Sequence, residues 1–263
     1  MFSSADAYER FMGRWSRRLA PALIDLADVG AGAEVLDVGA GTGVLAFAVR
    51  EAIATARVTG VDPSADYVAH AAGASADPRV AFEVGDARQL RFATASFDRA
   101  LSLLAINFVP EPAAAVAEMA RVTRPGGVVA AAVWDYGGGM EMLRVFWDHA
   151  VAEAPALASR DEAHLPLCRQ GELGALWRAA GLVDVVEAPL TIELGFASFD
   201  DYWAPFLLGQ GPAGAHVAAL PAARQAALAD RLRRHLLGDG PDRPFELGGR
   251  AWAVRGTVAP SSR

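Results

Sequence analysis

VLDVGAGTG, Val35 to Gly43, is the stretch on which the reading of this chain turns. Val35, Leu36 and Val38 flank a single acid, Asp37, and glycines follow at 39, 41 and 43. A short apolar run bounded by such glycines reads as a buried strand running into a tight turn. Glycine permits a positive φ there, or the close approach of another group to the backbone. The apolar pattern that follows predicts a helix from Gly43 to Ala54. Strand, turn and helix in this order bring backbone N–H groups and a helix N-terminus to the carboxyl edge of a sheet, where α/β folds bind nucleotides.

The same rhythm continues on the C-terminal side. Strands are expected over Arg57 to Val61, Val80 to Val84, Phe97 to Leu103 and Gly127 to Trp134, with helices over Ser64 to Gly73 and Pro112 to Thr123 and a turn at RPGG, Arg124 to Gly127. Alternation of strand and helix feeds a parallel sheet. Beyond Tyr136 the pattern changes: helices over Met140 to Glu153 and Gly171 to Ala180, an irregular stretch over Pro155 to Arg169, and a long strand over Val183 to Leu194. Ser198 to Leu237 reads as helical with a break at GQGPAG, and Phe245 to Val258 as a seventh strand. The expectation is an α/β fold, Rossmann-like and doubly wound, with a mostly parallel seven-stranded sheet and helical insertions. It is read as one domain over 1–263: leading helices over 1–33, a ligand-binding core over 34–135, and insertions over 136–170 and 197–242.

Composition narrows the partners. With 53% hydrophobic and 21% charged residues the chain can offset its ordering entropy by burial. A net charge of -7 disfavours a nucleic acid backbone, which draws its binding energy from clustered cations. The single cysteine, Cys168, forms no internal disulfide and offers no zinc-ligand spacing, so no metal is expected and a reducing compartment is allowed. Met1 to Ala20 mixes charges and aromatics, unlike a secretory signal, and no apolar run approaches the roughly 20 residues of a membrane span. A cytoplasmic protein with a small-molecule partner is expected, its oligomeric state unreadable.

Two kinds of nucleotide ligand compete for the glycine turn. A dinucleotide loop asks for G-x-G-x-x-G, but Val44 stands where the last glycine would fall, and Asp37 would repel a pyrophosphate. Asp37 suits instead a cationic or zwitterionic ligand, directly or through water. The run Asp37-Val38-Gly39-Ala40-Gly41-Thr42-Gly43 resembles the D/E-x-G-x-G-x-G loop of class I S-adenosylmethionine-dependent methyltransferases. Further landmarks follow in order. Asp62 in VTGVDPS resembles the family acid that takes both ribose hydroxyls, although an Asp before Pro63-Ser64 also reads as a helix cap. Asp86 in VGDARQL resembles the acid that accepts from the adenine amino group, with Ala87 supplying a backbone N–H. FDRALSLLAINFV and RVTRPGGVV resemble the fourth strand and the turn into the fifth.

The resemblance implies S-adenosyl-L-methionine as cofactor, held by Asp37, Gly39, Ala40, Gly41, Asp62, Pro63, Asp86, Ala87 and Leu103. YERFMGRWSRRLAP, DYWAPFLLGQGPA and ELGGRAWAVRGTV extend it to a subgroup near the menaquinone and ubiquinone biosynthesis C-methyltransferases, in which the leading helix folds over the cofactor. That implies a lid face of Tyr8, Met12 and Trp15, whose i, i+4, i+7 spacing shares one side of a helix, although the same spacing fits a helix packed on the sheet.

The acceptor is less legible. Methyl transfer from a sulfonium needs alignment and exclusion of water, and a general base only for an oxygen acceptor. His149 and His164 in the first insertion are candidates for that base, and surface histidines by the other reading. Asn107, beyond the fourth strand, either orients an acceptor or caps the turn before Pro110. Phe146, Trp147, Tyr202, Trp203 and Phe206 line an apolar acceptor pocket or form the core of the insertions. A small apolar or aromatic metabolite, methylated on carbon, oxygen or nitrogen, is the expected substrate. A non-catalytic protein that binds the same cofactor and a nicotinamide oxidoreductase are the alternatives.

Overall fold

Seven runs rich in Val, Leu and Ala form the strands of one sheet: β1 (Glu34–Val38), β2 (Arg57–Asp62), β3 (Val80–Val84), β4 (Phe97–Leu103), β5 (Thr123–Trp134), β6 (Val183–Phe196) and β7 (Phe245–Thr257). The computed structural model describes residues 9–260. The strand order is β3-β2-β1-β4-β5-β7-β6, with β1 to β5 paired in parallel. β7 runs against β5: Gly126 N–H donates to Val258 O at 2.8 Å near one end, and Asp135 N–H to Arg250 O at 2.9 Å near the other. The sheet is therefore mixed. Its order reverses between β1 and β4, which makes their carboxyl ends the switch point at which open α/β sheets bind ligands.

Helices α1 (Arg14–Leu26), α2 (Val44–Ala52), α3 (Ala65–Gly73) and α4 (Pro112–Val122) precede or connect the parallel strands. α5 (Glu141–Glu153) and α6 (Glu172–Ala179) follow β5, and α7 (Phe199–Trp203), α8 (Gly211–Ala219) and α9 (Ala222–Leu237) lie between β6 and β7.

Three expectations are corrected. RPGG is not a turn before β5 but lies inside it: Phe97 pairs with Thr123 and Arg99 with Val128, so the extra residues bulge out, and Gly126 takes the left-handed φ of 80° that this requires. GQGPAG is not wholly a break, because α8 begins at Gly211 and carries Pro212 in its first turn, where a missing N–H costs nothing. The stretch that resembles one leading helix is not a single regular helix among the described residues: a π-helical turn, Glu9–Gly13, precedes α1, which carries Pro21 in its interior. That wider turn takes Met12 and Trp15 off the simple helical spacing. Tyr8 lies outside the described residues.

The chain divides into two compact units. One comprises Ser16–Val133, Pro166–Leu190 and Ala251–Arg263, and contains β1 to β4 and most of β5. Its core is aliphatic, with Val35, Leu36, Leu101, Val129 and Leu45 fully or nearly fully buried, and Trp177 is fastened beneath it by an indole N–H bond to Val129 O at 2.9 Å. The other comprises Met1–Trp15, Trp134–Leu165 and Thr191–Arg250. Its core is aromatic: Phe146, Trp147, Tyr202 and Phe206 are buried, the Phe146 and Phe206 rings stack at 4.8 Å, and the Tyr202 hydroxyl donates to Met142 O at 3.0 Å. No helix among the described residues is long and apolar enough to cross a membrane, and no group of three or more His, Cys, Asp or Glu among them is arranged to hold a metal.

Candidate functional site

The loop after β1 takes its shape from three left-handed glycines, with φ of 76° at Gly39, 53° at Gly41 and 87° at Gly43. Their surroundings differ. A Cβ on Gly39 would lie 2.4 Å from the Ala105 Cβ, and one on Gly43 would lie within 3.0 Å of the Phe47 and Phe82 rings. A Cβ on Gly41 would meet nothing within 4 Å. Two of the three glycines thus admit neighbouring protein, and among the described residues only Gly41 turns toward open space.

The strand ends converge around this loop. Gly39 and Ala40 N–H both donate to Val61 O on β2, at 2.8 and 3.1 Å, and Gly39 abuts Ala105 just past β4. Gly85 N–H, just past β3, donates to Asp62 O at 3.1 Å. Asp37, Gly39, Ala40, Gly41, Asp62 and the start of the Asp86 segment are accordingly assembled at one edge of one unit.

Asp62 is buried, and its carboxylate joins two backbone segments. One oxygen accepts from Gly41 N–H and the other from Ser64 N–H, each at 2.9 Å. The helix-cap reading of Asp62 fails, since Ser64 is the cap of α3 and accepts from Tyr67 N–H. A carboxylate has about four lone-pair sites, so two acceptor positions remain on an anion whose orientation is already set. Burial pushes the Asp62 pKa up, and the Ser64 and Gly41 amides oppose the rise.

Asp37 is in a different state. Neither oxygen has a hydrogen-bond partner among the described residues, and the residue is 1% exposed. Burial pushes its pKa up to about 7. The Ala46 amide on α2 opposes this without reaching ordinary hydrogen-bond geometry, and the Asp62 charge adds to it. A buried acid without a partner costs folding free energy, and such groups concentrate at functional sites.

Asp86 is exposed and held by Arg88, whose guanidinium donates to both carboxylate oxygens, Nη2 to Oδ2 at 2.7 Å and Nε to Oδ1 at 3.0 Å. That bond and the Arg88 amide hold the Asp86 pKa at about 2. Ala87 beside it is buried, Pro63 is exposed, and Leu103 is buried at the end of β4. Leu104 follows with a φ of 59°, unusual for a branched side chain, and its N–H donates to Ala132 O at 2.8 Å. Asn107 sits in a short 3-10 turn, Ile106–Phe108. It is 5% exposed, and neither end of its amide has a partner, so the turn-capping reading is not what its side chain does.

The remaining candidates belong to the other unit. Met12 and Trp15 are buried there, as are the five aromatics of the insertions, which makes those aromatics core. His149 is half-buried against the His235 ring, at 5.0 Å between centroids, and burial, His235 and Arg231 lower its pKa. His164 is exposed. Three features had no sequence signal: the buried, unpartnered Ser102 hydroxyl on β4, the Arg88 clasp on Asp86, and Glu162, whose buried carboxylate accepts from the Trp147 indole N–H and, at 3.3 Å, from Ala213 N–H.

Comparison with known proteins places the matched region on the stretch that holds this loop. Residues 35–127 match the family model described as a methyltransferase domain. The ubiquinone/menaquinone biosynthesis C-methyltransferase UbiE of Bdellovibrio bacteriovorus is 39% identical over 109 residues, 41% of this chain and 46% of that protein. A malonyl-[acyl-carrier protein] O-methyltransferase of Hahella chejuensis is 30% identical over 126 residues, 48% of this chain and 45% of that protein. The chain thus spans less than half the length of either relative. Among solved structures, phosphoethanolamine N-methyltransferase 2 of Haemonchus contortus, in complex with S-adenosylhomocysteine, superposes with a TM-score of 0.60 at 19% identity, over 98% of this chain and 57% of that one. These three proteins methylate carbon, oxygen and nitrogen by their names, so the likeness fixes the core and not the acceptor atom. The matched stretch is the one that holds the switch-point glycine loop and the ordered acids, and residues 35–127 of the chain thus carry a methyltransferase domain.

Proposed function

We propose that the chain binds S-adenosylmethionine at the carboxyl ends of β1 to β4 and transfers its methyl group to a small apolar or aromatic metabolite. The observation that carries this reading is the pairing of an unpartnered buried acid, Asp37, with a glycine, Gly41, whose one free direction opens beside the anchored carboxylate of Asp62. When bound, the cofactor supplies an electrophilic methyl on a sulfonium that leaves as a neutral thioether.

The residues then divide the work. Asp62 offers its two remaining acceptor positions to the ribose hydroxyls, its orientation fixed by the Gly41 and Ser64 amides. Asp37 supplies a negative potential under the loop, which favours a positively charged ligand. Asp86, held by Arg88, and the Ala87 amide address the adenine edge, with Pro63 and Leu103 as apolar walls. Gly39 and Ala40 fix the loop to β2. Asn107, an unpartnered amide beyond β4, is read as the group that orients a polar atom of the acceptor.

A carbon or nitrogen acceptor needs no base from this set. For an oxygen acceptor His149 is the candidate base, because burial lowers its pKa and favours the neutral imidazole that can take a proton. A quinone-like ring is the acceptor class in line with the Bdellovibrio relative's name, and the acidic chain disfavours nucleic acid. The reaction is read as cytoplasmic, since a single cysteine leaves no disulfide to form within the chain.

Titration calorimetry with S-adenosylmethionine, S-adenosylhomocysteine and NAD tests the cofactor. The first two should bind, and Asp62→Ala should lose at least tenfold in affinity for them, because it removes both the ribose acceptor and the anchor of the loop. Binding of NAD alone, or an Asp62→Ala variant with unchanged affinity, refutes the site. Labelled cofactor incubated with a metabolite extract tests turnover, and a protein that binds but labels nothing is a binding protein rather than an enzyme.

A further inference from the structure

An ionised carboxylate is stable inside a protein when hydrogen bonds or a cation replace the water it has lost. Asp37 has neither. Both of its oxygens are sealed from solvent and without hydrogen-bond partners. From β2 it feels the Asp62 carboxylate, which repels it, and its register partner there is Gly60. On β4 its register partner is Leu101, which is apolar, and from α2 the Ala46 amide alone favours the ionised form.

We infer that Asp37 carries a proton in the ligand-free protein and releases it when a cationic ligand enters the glycine-loop site, which makes cofactor binding a proton-linked event. The inference rests on the cofactor site proposed above. The step is a plain ionisation: the O–H bond of the Asp37 carboxyl breaks, the electron pair stays on the carboxylate, and the proton passes to solvent. The ligand forms no covalent bond. Its positive charge lowers the cost of the buried anion, and by reciprocity the anion raises affinity for the cation. A pKa of about 7 places the exchange in the neutral range, so affinity should weaken as the pH falls below 7, by up to about tenfold per unit.

Calorimetry at pH 7 in buffers of different ionisation enthalpy counts the protons released. S-adenosylmethionine has an amino group of its own, titrating near 7.7–8.0 as α-amino groups do, so the informative quantity is the difference between the wild type and Asp37→Asn. That difference should be about half a proton at pH 7, growing toward one at pH 6. Infrared difference spectroscopy on the wild type gives a reading that needs no variant. The C=O stretch of a protonated carboxyl should disappear on addition of S-adenosylmethionine and persist on addition of adenosine, which has no charge. Equal proton counts in two proteins that both bind, or a carboxyl band unchanged by S-adenosylmethionine, overturn the inference. Failure of the wild type to bind S-adenosylmethionine overturns the cofactor reading itself, a result distinct from either.

Discussion

The unequal surroundings of Gly39 and Gly41 predict that the same substitution at each will separate stability from binding. An alanine at either position must take a positive φ, which costs about 1–2 kcal/mol for a residue with a Cβ. At Gly41 that is the whole cost to the free protein, since the added methyl meets nothing within 4 Å and the N–H that bonds Asp62 is kept. At Gly39 the methyl would lie 2.4 Å from the Ala105 Cβ, and backbone on either side must shift, adding about 1–3 kcal/mol of overpacking. Gly39→Ala should therefore lose about 2–5 kcal/mol and Gly41→Ala about 1–2 kcal/mol. At about 2–4 °C per kcal/mol, Gly41→Ala should melt only a few degrees below the wild type. Binding should show the opposite emphasis. If the open face of Gly41 seats the ligand, its methyl fills that seat, and affinity for S-adenosylhomocysteine should fall by tenfold or more. Thermal unfolding followed by calorimetric titration of the surviving fold reads both quantities. A Gly41→Ala protein that binds like the wild type would refute the proposed seat, and equal melting losses for the two variants would refute the packing argument.

Three other perturbations have defined outcomes. Burial raises the Glu162 pKa to about 7, so the folded state holds this proton more tightly than the unfolded one. Its stabilising contribution is complete below the unfolded value of 4.5 and is lost as the pH rises through about 7, a difference on the order of 3 kcal/mol. Glu162→Gln should flatten that slope in urea unfolding between pH 5 and 8, at a cost of about 1 kcal/mol for one donor left unmatched, and an unchanged slope would show the carboxyl to be solvated. Asn107→Ala removes an amide with no partner, so the free protein should lose little or no stability, whereas kcat/KM should fall at least tenfold if the amide orients the acceptor; full turnover would return Asn107 to a structural role. Arg14 Nη1 donates to both carboxylate oxygens of Asp201, at 2.8 and 3.0 Å, its Nη2 donates to Asp201 O at 3.2 Å, and the guanidinium stacks over Trp15 at 4.1 Å. Arg14→Ala should cost about 1–2 kcal/mol, and Arg14→Lys should recover only part of it for want of the planar fork; complete recovery in unfolding experiments would reduce the contact to simple charge.

What was legible in the sequence was what is decided locally. β3 and β4 fall where period and composition put them, and the glycine loop announced itself because positive φ and strand-to-helix connection are properties of a few adjacent residues. The reasons behind the same features were not local. Gly39 is a glycine because of Ala105, which follows it in the chain only after three further strands, and Asp62 is fixed by the Gly41 amide of another loop as well as by the Ser64 amide beside it. RPGG looked like a turn because Pro and Gly usually end regular structure, yet two hydrogen bonds with Val258 hold the bulge inside β5. Arg14 and Asp201 are 187 residues apart, and no spacing rule joins them.

Asp37 shows how the two kinds of information combine. Its residue type and its place before the glycines were evident from nine letters of sequence, and they favoured a cationic ligand. Its protonation state was not evident, because the forces that set it come from elsewhere in the chain: Leu101 supplies apolar surface, Ala46 a partial donor and Asp62 a like charge. The same carboxyl in water would be an anion at any pH above about 4 and would bind a cation without releasing anything. Only its burial turns attraction for the ligand into competition between the ligand and a proton. Chemistry that can be named from a motif therefore acquires its pH dependence from the packing around the motif.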